Sequence, residues 1–476
     1  MRLPEALLRS LDGTPGFDRE RFITSHDTGR RATSIRMNPA KWTFADTGPL
    51  VSSFSHGSVP GIKFTNIPWC EEGYHLDVRP SFTFDPFLHA GAYYVQEASS
   101  MFLGHALRKL TAGMTGLRAL DLCAAPGGKS THLSSIPSIS LLVSNEIIRS
   151  RVPILCENLV KWGAPHVFIS QQDPRDYRRL PAFFDIMLVD APCSGSGLFR
   201  KDQDAVDEWS PNNVALCSQR QQRILADALP ALRENGILVY STCSYSPEEN
   251  EEILDWLVND MGMESLQIEV SDEWGITETS SPAAGAYGYR FYPHLLEGEG
   301  LFLACLRQQR ASADSNMKSV PRPAGMPKGT DLHEWIQDPG QLTCQVREDE
   351  LIAVPASIAE EQAVLAATLS LRHSGIRLGK LVRGRLIPDH ELAMSSLINP
   401  GIPACELTHP DAIRYLKKEN IFPEGAVQGW NLVRYETLPL GFIKCMPGRA
   451  NNYYPSGWRI RAEKPYMDQH PEIGLP

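Results

Sequence analysis

The sequence predicts an α/β protein built on a parallel, doubly wound sheet. From about Leu117, short apolar runs alternate with amphipathic segments, which is the pattern of strands joined by helices, and these signals end near GLFLACLRQQR at 300–310. The predicted strands are LRALDL, LLVSN, HVFIS, FDIMLVD and GILVYS. Helices are predicted over 148–162, 212–233 and 247–258, and the second is expected to end at RENG. In such a sheet, ligands bind at the carboxyl ends of the strands.

A chain of 476 residues is too long for one hydrophobic core, so the sequence predicts several units. Residues 1–85 begin with a helical pattern and continue through a turn-rich stretch, and we expect an N-terminal accessory unit there. The α/β domain is expected over 86–310. Residues 311–385 start with ASADSNMKSVPRPAGMPKG, which has the Ser, Pro and Gly content of a linker. Many Gly and Pro turns in 386–476 predict a small β-rich unit.

Composition indicates a folded protein outside the membrane. Hydrophobic residues make up 42% of the chain and charged residues 21%, without low-complexity tracts. Charges at Arg2, Glu5 and Arg9 interrupt the apolar stretch that a signal peptide needs, and no run approaches the roughly 18 apolar residues of a membrane span. We therefore expect a cytoplasmic location and no membrane partner. We also expect a monomer.

The cysteines predict neither a metal site nor a disulfide framework. Ten cysteines are spread over the chain, with no CxxC pair and no Cys/His cluster. A cytoplasmic protein keeps its thiols reduced, and an isolated cysteine is most often a small buried core residue. That interpretation applies to each cysteine, including Cys243, until its surroundings indicate more.

The distribution of charge favours a nucleic-acid partner, whereas the formal net charge of −10 argues against one. Two C-terminal stretches, 362–388 and 438–462, contain no acid, and the second interleaves basic with aromatic side chains. The basic residues are Arg372, Arg377, Lys380, Arg383, Arg385, Lys444, Arg449, Arg459 and Arg461, and the aromatic residues are Tyr453, Tyr454 and Trp458. Such stretches suit a phosphate backbone with stacked bases, although a solvated basic face gives the same pattern.

The segment LDLCAAPGGKST follows the first predicted strand and begins a helix, so it predicts a ligand-binding loop. Gly127 and Gly128 allow backbone amides to approach a ligand closely. The Gly-Lys-Ser ending is typical of the phosphate loop of ATPases, but that loop needs glycine five residues before Gly128, where Cys123 stands. A turn without function is an alternative for the glycine pair.

Three acids follow predicted strands at positions that suit an adenosine-containing cofactor. Glu146 ends the second strand, 25 residues after Asp121, where an acid can hold ribose hydroxyls. Asp173 follows the third strand and either lies beside an adenine or caps a turn before Pro174. Asp190 ends the fully apolar fourth strand. Because strand ends meet at one edge of the sheet, we expect these acids to face a common cleft.

Two cysteines are placed at neighbouring strand ends. Cys193 follows Asp190 in DAPCSGSG, and Cys243 follows the next strand, 50 residues later. Such a pair indicates either a redox dithiol or covalent catalysis on an electron-poor ring. Carbon 5 of cytosine is too weak a nucleophile to accept a methyl cation unaided, and a thiolate that adds at carbon 6 activates it. The attacking thiol then needs a nearby positive group, Lys129 or a cofactor sulfonium, to favour its thiolate form.

Four segments together resemble the Sun-type (Nol/Nop/Sun, also called Fmu) RNA cytosine-C5 methyltransferases. The segments are DLCAAPGGKS, NE, VDAPCSGSGLFRKD and YSTCSYSPEENE. The resemblance implies a Rossmann-like core that binds S-adenosyl-L-methionine. The residues implied to bind it are Cys123, Ala124, Ala125, Pro126, Gly127, Gly128, Lys129, Glu146, Asp173 and Asp190. The resemblance also implies that Cys243 is the nucleophile on carbon 6 and that Cys193 helps to release the product.

The placement of the thiols favours RNA over DNA, because DNA cytosine-C5 methylases carry their nucleophile in the Pro-Cys motif. We expect Asp190 to bond the cytosine ring near N3 in addition to contacting the cofactor. The resemblance extends through SIRMN, PWCEEG and YYVQEASSMF to the tail LPLGFIKCMPGRANNYYPSGWRIR, which is similar to a PUA-like RNA-binding domain. We therefore expect an accessory RNA-binding domain over 1–85, a linker and pre-PUA segment over 311–385 and the PUA-like domain over 386–476. It implies a cytidine in small-subunit (16S) ribosomal RNA, or in the subunit, as substrate. A non-catalytic RNA-binding ribosome assembly factor on the same fold is the alternative.

Overall fold

The computed structural model describes residues 3–27, 31–42, 45–56, 61–310 and 331–463. It has the α/β class that the sequence predicts, with smaller sheets on either side of a large one in the chain. The predicted linker sequence ASADSNMKSVPRPAGMPKG and residues 464–476 lie outside the described residues.

The N-terminal unit is a small antiparallel sheet with short helices. Its helices are α1 (Glu5–Leu11), α2 (Arg19–Asp27), α3 (Gly48–His56) and α4 (Pro86–His89). Its strands are β1 (Thr33–Met37), β2 (Phe64–Ile67), β3 (Cys70–Leu76) and β4 (Tyr93–Val95), in the order β2-β3-β1-β4. The sheet therefore takes its last strand from residues past the predicted boundary at 85.

The strands predicted for the α/β domain are all present. They are β5 (Leu117–Asp121), β6 (Ile139–Asn145), β7 (Val167–Ser170), β8 (Phe184–Asp190) and β9 (Leu232–Thr242). They are parallel, in the order β9-β8-β5-β6-β7. Because β6 lies on one side of β5 and β8 on the other, the strand order reverses at β5, which is where open α/β sheets bind their ligands.

The helices of this domain alternate with the strands as predicted, but their ends differ from the predicted ones. They are α5 (Phe102–Leu110), α6 (Gly128–Leu133), α7 (Val152–Trp162), α8 (Gln203–Glu208), α9 (Pro211–Ala228) and α10 (Glu251–Asn259). The predicted end of α9 is wrong. Pro230 cannot donate a helical hydrogen bond, and Leu232 already pairs with Phe184 of β8. RENG therefore lies inside β9.

The other two helices begin later than predicted. Helix α7 starts at Val152 rather than at residue 148, with a proline in its first turn. The third predicted helix is divided into a short 3-10 turn, Pro247–Glu249, and α10. Proline suits the first turn of a helix, because its missing N–H group would have no partner there.

Antiparallel strands extend the sheet beyond β9, in a region where the sequence gives strand signals as far as GLFLACLRQQR but predicts no individual strand. They are β10 (Met263–Leu266), β11 (Thr277–Ser280), β12 (Tyr287–Phe291) and β13 (Leu301–Gln308). Strand β13 pairs with β9, and the others follow through pairs with β13 or β12. Short strands such as TETS carry polar residues, so their hydrophobic pattern in the sequence is weaker than that of buried parallel strands.

Residues 331–388 form a sheet of their own and add one strand to the large sheet. The elements are β14 (Leu342–Arg347), β15 (Glu350–Pro355), α11 (Ala359–Thr368), β16 (Leu371–Ser374), β17 (Ile376–Val382) and β18 (Arg385–Pro388). The small sheet has the order β14-β15-β17-β18, and β16 pairs antiparallel with β7. The segment that follows the predicted linker is thus attached to the α/β domain.

The C-terminal unit is β-rich, as predicted. Its elements are α12 (His390–Met394), β19 (Ala404–Glu406), α13 (His409–Leu416), β20 (Gly429–Tyr435), β21 (Leu438–Met446) and β22 (Arg449–Asn452). Its core is continuous with that of the N-terminal unit, because Tyr415, Ile443 and Tyr454 belong to one buried cluster with Ile35 and Phe54. The two ends of the chain therefore pack together.

None of the helices in the described parts of the chain combines the length and the apolar character needed to cross a bilayer.

A buried ion pair joins the antiparallel strands to α10. Arg290 of β12 is 1% exposed, and Glu251 at the start of α10 is 6% exposed. Arg290 Nε and Nη2 donate to the two carboxylate oxygens of Glu251 at 2.7 and 2.5 Å, and Nη1 donates to the carbonyl of Tyr245 at 2.7 Å. Burial lowers the pKa of Arg290, but the charge of Glu251 outweighs burial, and the pKa rises above its ordinary value.

Replacing Arg290 with methionine should lower the free energy of unfolding by about 3–5 kcal/mol, because Glu251 is then buried without its counter-charge. Urea unfolding followed by circular dichroism measures the change. Arg307→Met is the matched control, since Arg307 pairs with Glu264 at the surface and should matter by less than about 1 kcal/mol. Equal losses in the two variants would contradict the importance of the buried pair.

Candidate active site

The carboxyl ends of β5, β8 and β9 bring the predicted functional residues to one edge of the sheet. Strand β8 lies between β5 and β9, and its register places Asp190 opposite Ser241. The segments that follow these strands carry Cys123, Cys193 and Cys243. Because the strands are adjacent and parallel, these segments leave the sheet on the same side.

A cleft opens at this edge and consists of two adjoining cavities. The first, of about 410 Å³, is lined by the predicted residues Cys123, Ala125, Glu146, Asp173, Asp190, Cys193 and Cys243. The second, of about 430 Å³, is lined by the predicted residues Ala124, Pro126, Gly128 and Lys129, and it shares Cys123, Ala125, Asp190 and Cys243 with the first. Asp190 and Cys243 therefore lie where the two cavities meet.

Gly127 belongs to the predicted loop but lines neither cavity. Its φ of 114° lies in the left-handed region, and a Cβ at this position would come within 3.2 Å of Leu155 Cδ1 on α7. Glycine thus allows the loop to turn into α6 and to pass close to α7. The structure thus gives Gly127 a role in the backbone turn of the loop.

Asp190 receives a donor on each carboxylate oxygen. Lys129 Nζ donates to Oδ2 at 2.8 Å, and Ser241 Oγ donates to Oδ1 at 2.8 Å. Burial lowers the pKa of Lys129, but the negative charge of Asp190 outweighs burial, and the pKa lies above its ordinary value. Lys129 is therefore a cation at neutral pH. Ser241 was not identified from the sequence.

Cys193 and Cys243 lie side by side, with 3.1 Å between their Sγ atoms. Both are free cysteines. The hydrogen bond with Cys243, and then burial, raises the pKa of Cys193 well above that of an ordinary thiol. The two sulfur atoms lie within hydrogen-bond distance, and either thiol can be the donor.

Glu146 and Asp173 line the first cavity and differ in how far they are exposed. Glu146 is 3% exposed, and Arg151, which the sequence analysis did not identify, pairs with its carboxylate at 3.3 Å. Arg151 also donates to the carbonyl of Ala125 at 2.5 Å, so it ties the acid to the loop. The half-exposed Asp173 accepts from the N–H of Arg175 at 3.1 Å. Asp173 thus caps a turn, which was one of the two alternatives drawn from the sequence, and it also lines the cavity.

Glu249 is a buried carboxylate next to the two cysteine loops, and it was not identified from the sequence. Glu249 lies six residues after Cys243 and is 0% exposed. Its carboxylate accepts hydrogen bonds from Ser194 and Ser244, the residues that follow the two cysteines. The sequence shows only an acidic helix start here, so it did not distinguish Glu249 from Glu248.

Gly197 brings the segment after β8 against the segment after β9. Its N–H donates to the carbonyl of Cys243 at 2.7 Å, and its own carbonyl accepts from the N–H of Gly300 at 3.3 Å. A Cβ on Gly197 would lie 2.6 Å from the carbonyl oxygens of both partners. Only glycine fits this approach without moving the backbone around Cys243.

Comparison with known proteins identifies the family of the chain. The family models that match it are the N-terminal domain of 16S rRNA methyltransferase RsmF at 3–98, 16S rRNA methyltransferase RsmB/F at 112–307 and the methyltransferase RsmF PUA domain at 403–460. Ribosomal RNA small subunit methyltransferase F of Erwinia tasmaniensis is 30% identical over 460 residues, which cover 92% of each chain. The protein of that name from Escherichia coli O7:K1 is 30% identical over 89% of each chain. The chain belongs to the RsmF family.

Solved structures agree with the fold of this RsmF-family chain. A methyltransferase homolog protein from Pyrococcus horikoshii is 27% identical with a TM-score of 0.50, over 64% of this chain and 100% of that one. NSun6 from Pyrococcus horikoshii, solved with SFG, is 19% identical with a TM-score of 0.52, over 64% and 98%, which concerns the fold alone. The predicted Rossmann-like methyltransferase core, N-terminal domain and PUA domain are therefore confirmed.

The basic stretches of this RsmF-family chain are partly neutralised. Arg377 pairs with Glu391 at 3.2 Å, and Lys380 pairs with Asp349 at 3.1 Å. Among the aromatic residues, Tyr454 is 1% exposed and belongs to the core, whereas Tyr453 is 37% exposed. Among the described residues, the exposed basic members outside these ion pairs are Arg372, Arg383, Arg385, Arg449, Arg459 and Arg461.

Within the part of the chain that the structure describes, one group of possible metal ligands lies outside the cleft. Ligand atoms of Cys70, Glu72 and His132 lie within 4.8 Å of one another. Burial, followed by the charges of Arg36 and Arg108, lowers the pKa of His132 well below its ordinary value. Arg108 also pairs with Glu72 at 3.6 Å. Because these positive charges oppose a bound cation, we assign no metal to the group.

Gly197→Ala should lower the free energy of unfolding by about 1–3 kcal/mol, because the added methyl group overpacks the contact with the carbonyls of Cys243 and Gly300. Scanning calorimetry measures the change. Gly340→Ala is the matched control, since a Cβ there has no neighbour within 4 Å. If the Gly197→Ala protein were as stable as the wild type, the two loops would not require this close contact.

Proposed function

We propose that the chain methylates carbon 5 of a cytidine in small-subunit (16S) ribosomal RNA, with S-adenosyl-L-methionine as the methyl donor and a covalent Cys243 adduct at carbon 6. The observation that carries the proposal is the pair of thiols, 3.1 Å apart, beside Asp190 where the two cavities meet. Membership of the RsmF family supports a ribosomal RNA substrate, and a PUA domain supports RNA binding.

The first cavity fits the proposed methyl donor in its chemistry. Glu146, at the end of β6, is the acid that suits ribose hydroxyls, and Asp173 offers a second acceptor for an adenine. Ile147 and Ile148 line the same cavity and are about half exposed, so they offer apolar contact to a base. When bound, S-adenosyl-L-methionine supplies an electrophilic methyl group. The protein binds and orients it beside Cys243.

The thiols perform the chemistry that cytosine cannot perform alone. Cys243 Sγ adds to carbon 6, and the electron pair that this bond places in the ring makes carbon 5 nucleophilic enough to take the methyl group. Carbon 5 then holds both a methyl group and a proton. Loss of that proton to a base allows the bond between Sγ and carbon 6 to break, and its electron pair returns to Cys243.

Cys193 is suited to take the carbon-5 proton. Its raised pKa comes first from the hydrogen bond with Cys243. Once the sulfur of Cys243 is bonded to carbon 6, it no longer accepts this bond as a thiolate, so Cys193 ionises more easily and can act as the base. Overall, the reaction passes one proton to water. This sequence of steps agrees with the product-release role implied by the family resemblance.

Lys129 and Asp190 are placed to polarise the cytosine. Each oxygen of Asp190 accepts one hydrogen bond and can accept another. The carboxylate therefore suits the exocyclic amine of cytosine, which is a donor. The Lys129 ammonium is the donor of the pair and suits N3, where negative charge develops as Cys243 adds. Lys129 therefore makes the contact at N3 that was predicted for Asp190, and Asp190 contacts the neighbouring exocyclic amine. The target base must be unstacked for any of these contacts to form.

Substitution of the two cysteines should separate their roles. Cys243→Ser should reduce methyl transfer to in vitro transcribed 16S RNA by at least about 1,000-fold and abolish covalent attachment, because the nucleophile is lost. Cys193→Ser should form the adduct but release it slowly, so a protein–RNA complex should persist on a denaturing gel. Methylation by Cys243→Ser at the wild-type rate would refute the assignment. Cys217→Ser, outside the cleft, is the control.

Bisulfite sequencing of ribosomal RNA tests the substrate. Cells that lack the protein should lose protection at a cytidine in small-subunit RNA, because 5-methylcytosine resists conversion to uracil. Wild-type protein should restore the protection, and Cys243→Ser should not. Unchanged protection in every sample would instead favour a non-catalytic RNA-binding assembly factor.

A further inference from the structure

Glu249 occupies a buried position between the two cysteine loops. It ends the short turn Pro247–Glu249 that follows β9 and is 0% exposed. A carboxyl group at such a depth has to find hydrogen-bond donors inside the protein. Burial raises the pKa of Glu249, and the hydrogen bonds from Ser194 and Ser244 oppose that effect.

Both oxygens of Glu249 receive two donors. Oε1 accepts from the backbone N–H of Ser194 at 2.8 Å and from Gln221 Nε2 at 3.3 Å. Oε2 accepts from the hydroxyls of Ser194 and Ser244, each at 2.5 Å. A carboxylate has about four acceptor sites, so all are used. Charge-assisted hydrogen bonds of this kind are stronger and more directional than neutral ones.

The two serine donors lie in the loops that carry the thiols. Ser194 immediately follows Cys193, and Ser244 immediately follows Cys243. The two hydroxyl oxygens lie 3.2 Å apart, so one carboxylate binds both loops side by side. Gln221 adds a third tie, since its Nε2 also donates to the carbonyl of Pro192 at 3.1 Å.

We propose that Glu249 is a positioning residue that fixes the separation of the Cys193 and Cys243 sulfur atoms. It does not reach the substrate and acts through Ser194 and Ser244. Without its carboxylate, two buried hydroxyls and one backbone N–H lose their acceptor, and the two loops can move apart independently. The proposal rests on the proposed function for its consequence in catalysis, but the geometry of the thiols can be measured without RNA.

The first measurement is closure of a disulfide between Cys193 and Cys243. Diamide takes two electrons and two protons from a thiol pair and leaves a disulfide, and mass spectrometry of peptides quantifies the cross-linked product. In Glu249→Gln, closure should be at least about tenfold slower, because disulfide formation depends steeply on the separation of the two residues. Glu252→Gln is the matched control, since it makes the same change at an exposed neighbour on α10.

The second measurement is methyl transfer to in vitro transcribed 16S RNA. Glu249→Gln should lower kcat by about 100-fold, as expected for misplaced reacting groups, while KM for RNA changes little. A purely structural role would reduce the folded fraction and leave the kcat of the folded molecules unchanged. Thermal unfolding of each variant gives the folded fraction. Glu252→Gln should keep the wild-type values.

The outcomes separate this proposal from the proposed function. If the wild-type protein methylates no RNA, the proposed function fails. The rate of disulfide closure alone then decides whether Glu249 fixes the separation of the two sulfur atoms. Closure of Glu249→Gln at the wild-type rate overturns the proposal, and so does slow closure with wild-type kcat. If Glu249→Gln does not fold, Ser244→Ala takes its place. It keeps the carboxylate, removes one donor and should slow closure and methylation by about tenfold; wild-type rates in this variant would overturn the proposal as well.

Discussion

The parallel pairing of β8 with β9 is the constraint on which the rest of the site depends. Its register sets Asp190 opposite Ser241, and their side chains continue the pairing with a hydrogen bond of 2.8 Å. The loops with Cys193 and Cys243 therefore start from neighbouring points. A register shift of one residue would turn Asp190 to the other face of the sheet. Backbone pairing inside the sheet thus decides where the two sulfur atoms meet.

Buried polar contacts hold the N-terminal unit firmly against this frame. Arg36 donates to Thr131 of α6 at 2.6 Å, and Asn38 donates to the carbonyl of Trp162 in α7 at 3.0 Å. Lys41 Nζ donates to main-chain carbonyls, and burial lowers its pKa to about 7. Since the C-terminal unit shares a core with the N-terminal one, both are fixed relative to the cleft. The distance from the PUA region to the thiols is therefore set by the fold.

Much of the site could be predicted because its residues directly follow apolar strands. Asp190, Cys193 and Cys243 have this local signal, and the order of strands then brings them together. Ser241 and Glu249 have no such signal, since a serine inside an apolar strand and an acid at a helix start are both ordinary. Their contacts exist only after β8 and β9 have paired. Strand β16 was missed for the same reason, because LRHS has no strand pattern and is defined by its pairing with β7.

Charged neighbours give the two thiols different surroundings. The charge of Cys243 is one of the causes that raise the pKa of Lys129, and both residues line the second cavity. The pKa of Cys193 is raised first by its hydrogen bond with Cys243 and by burial, and further by the charge of Glu249. A cation favours the thiolate form of a nearby cysteine, and an anion favours the thiol form. These surroundings support the proposed assignment of Cys243 as nucleophile and Cys193 as base, which the family resemblance implies.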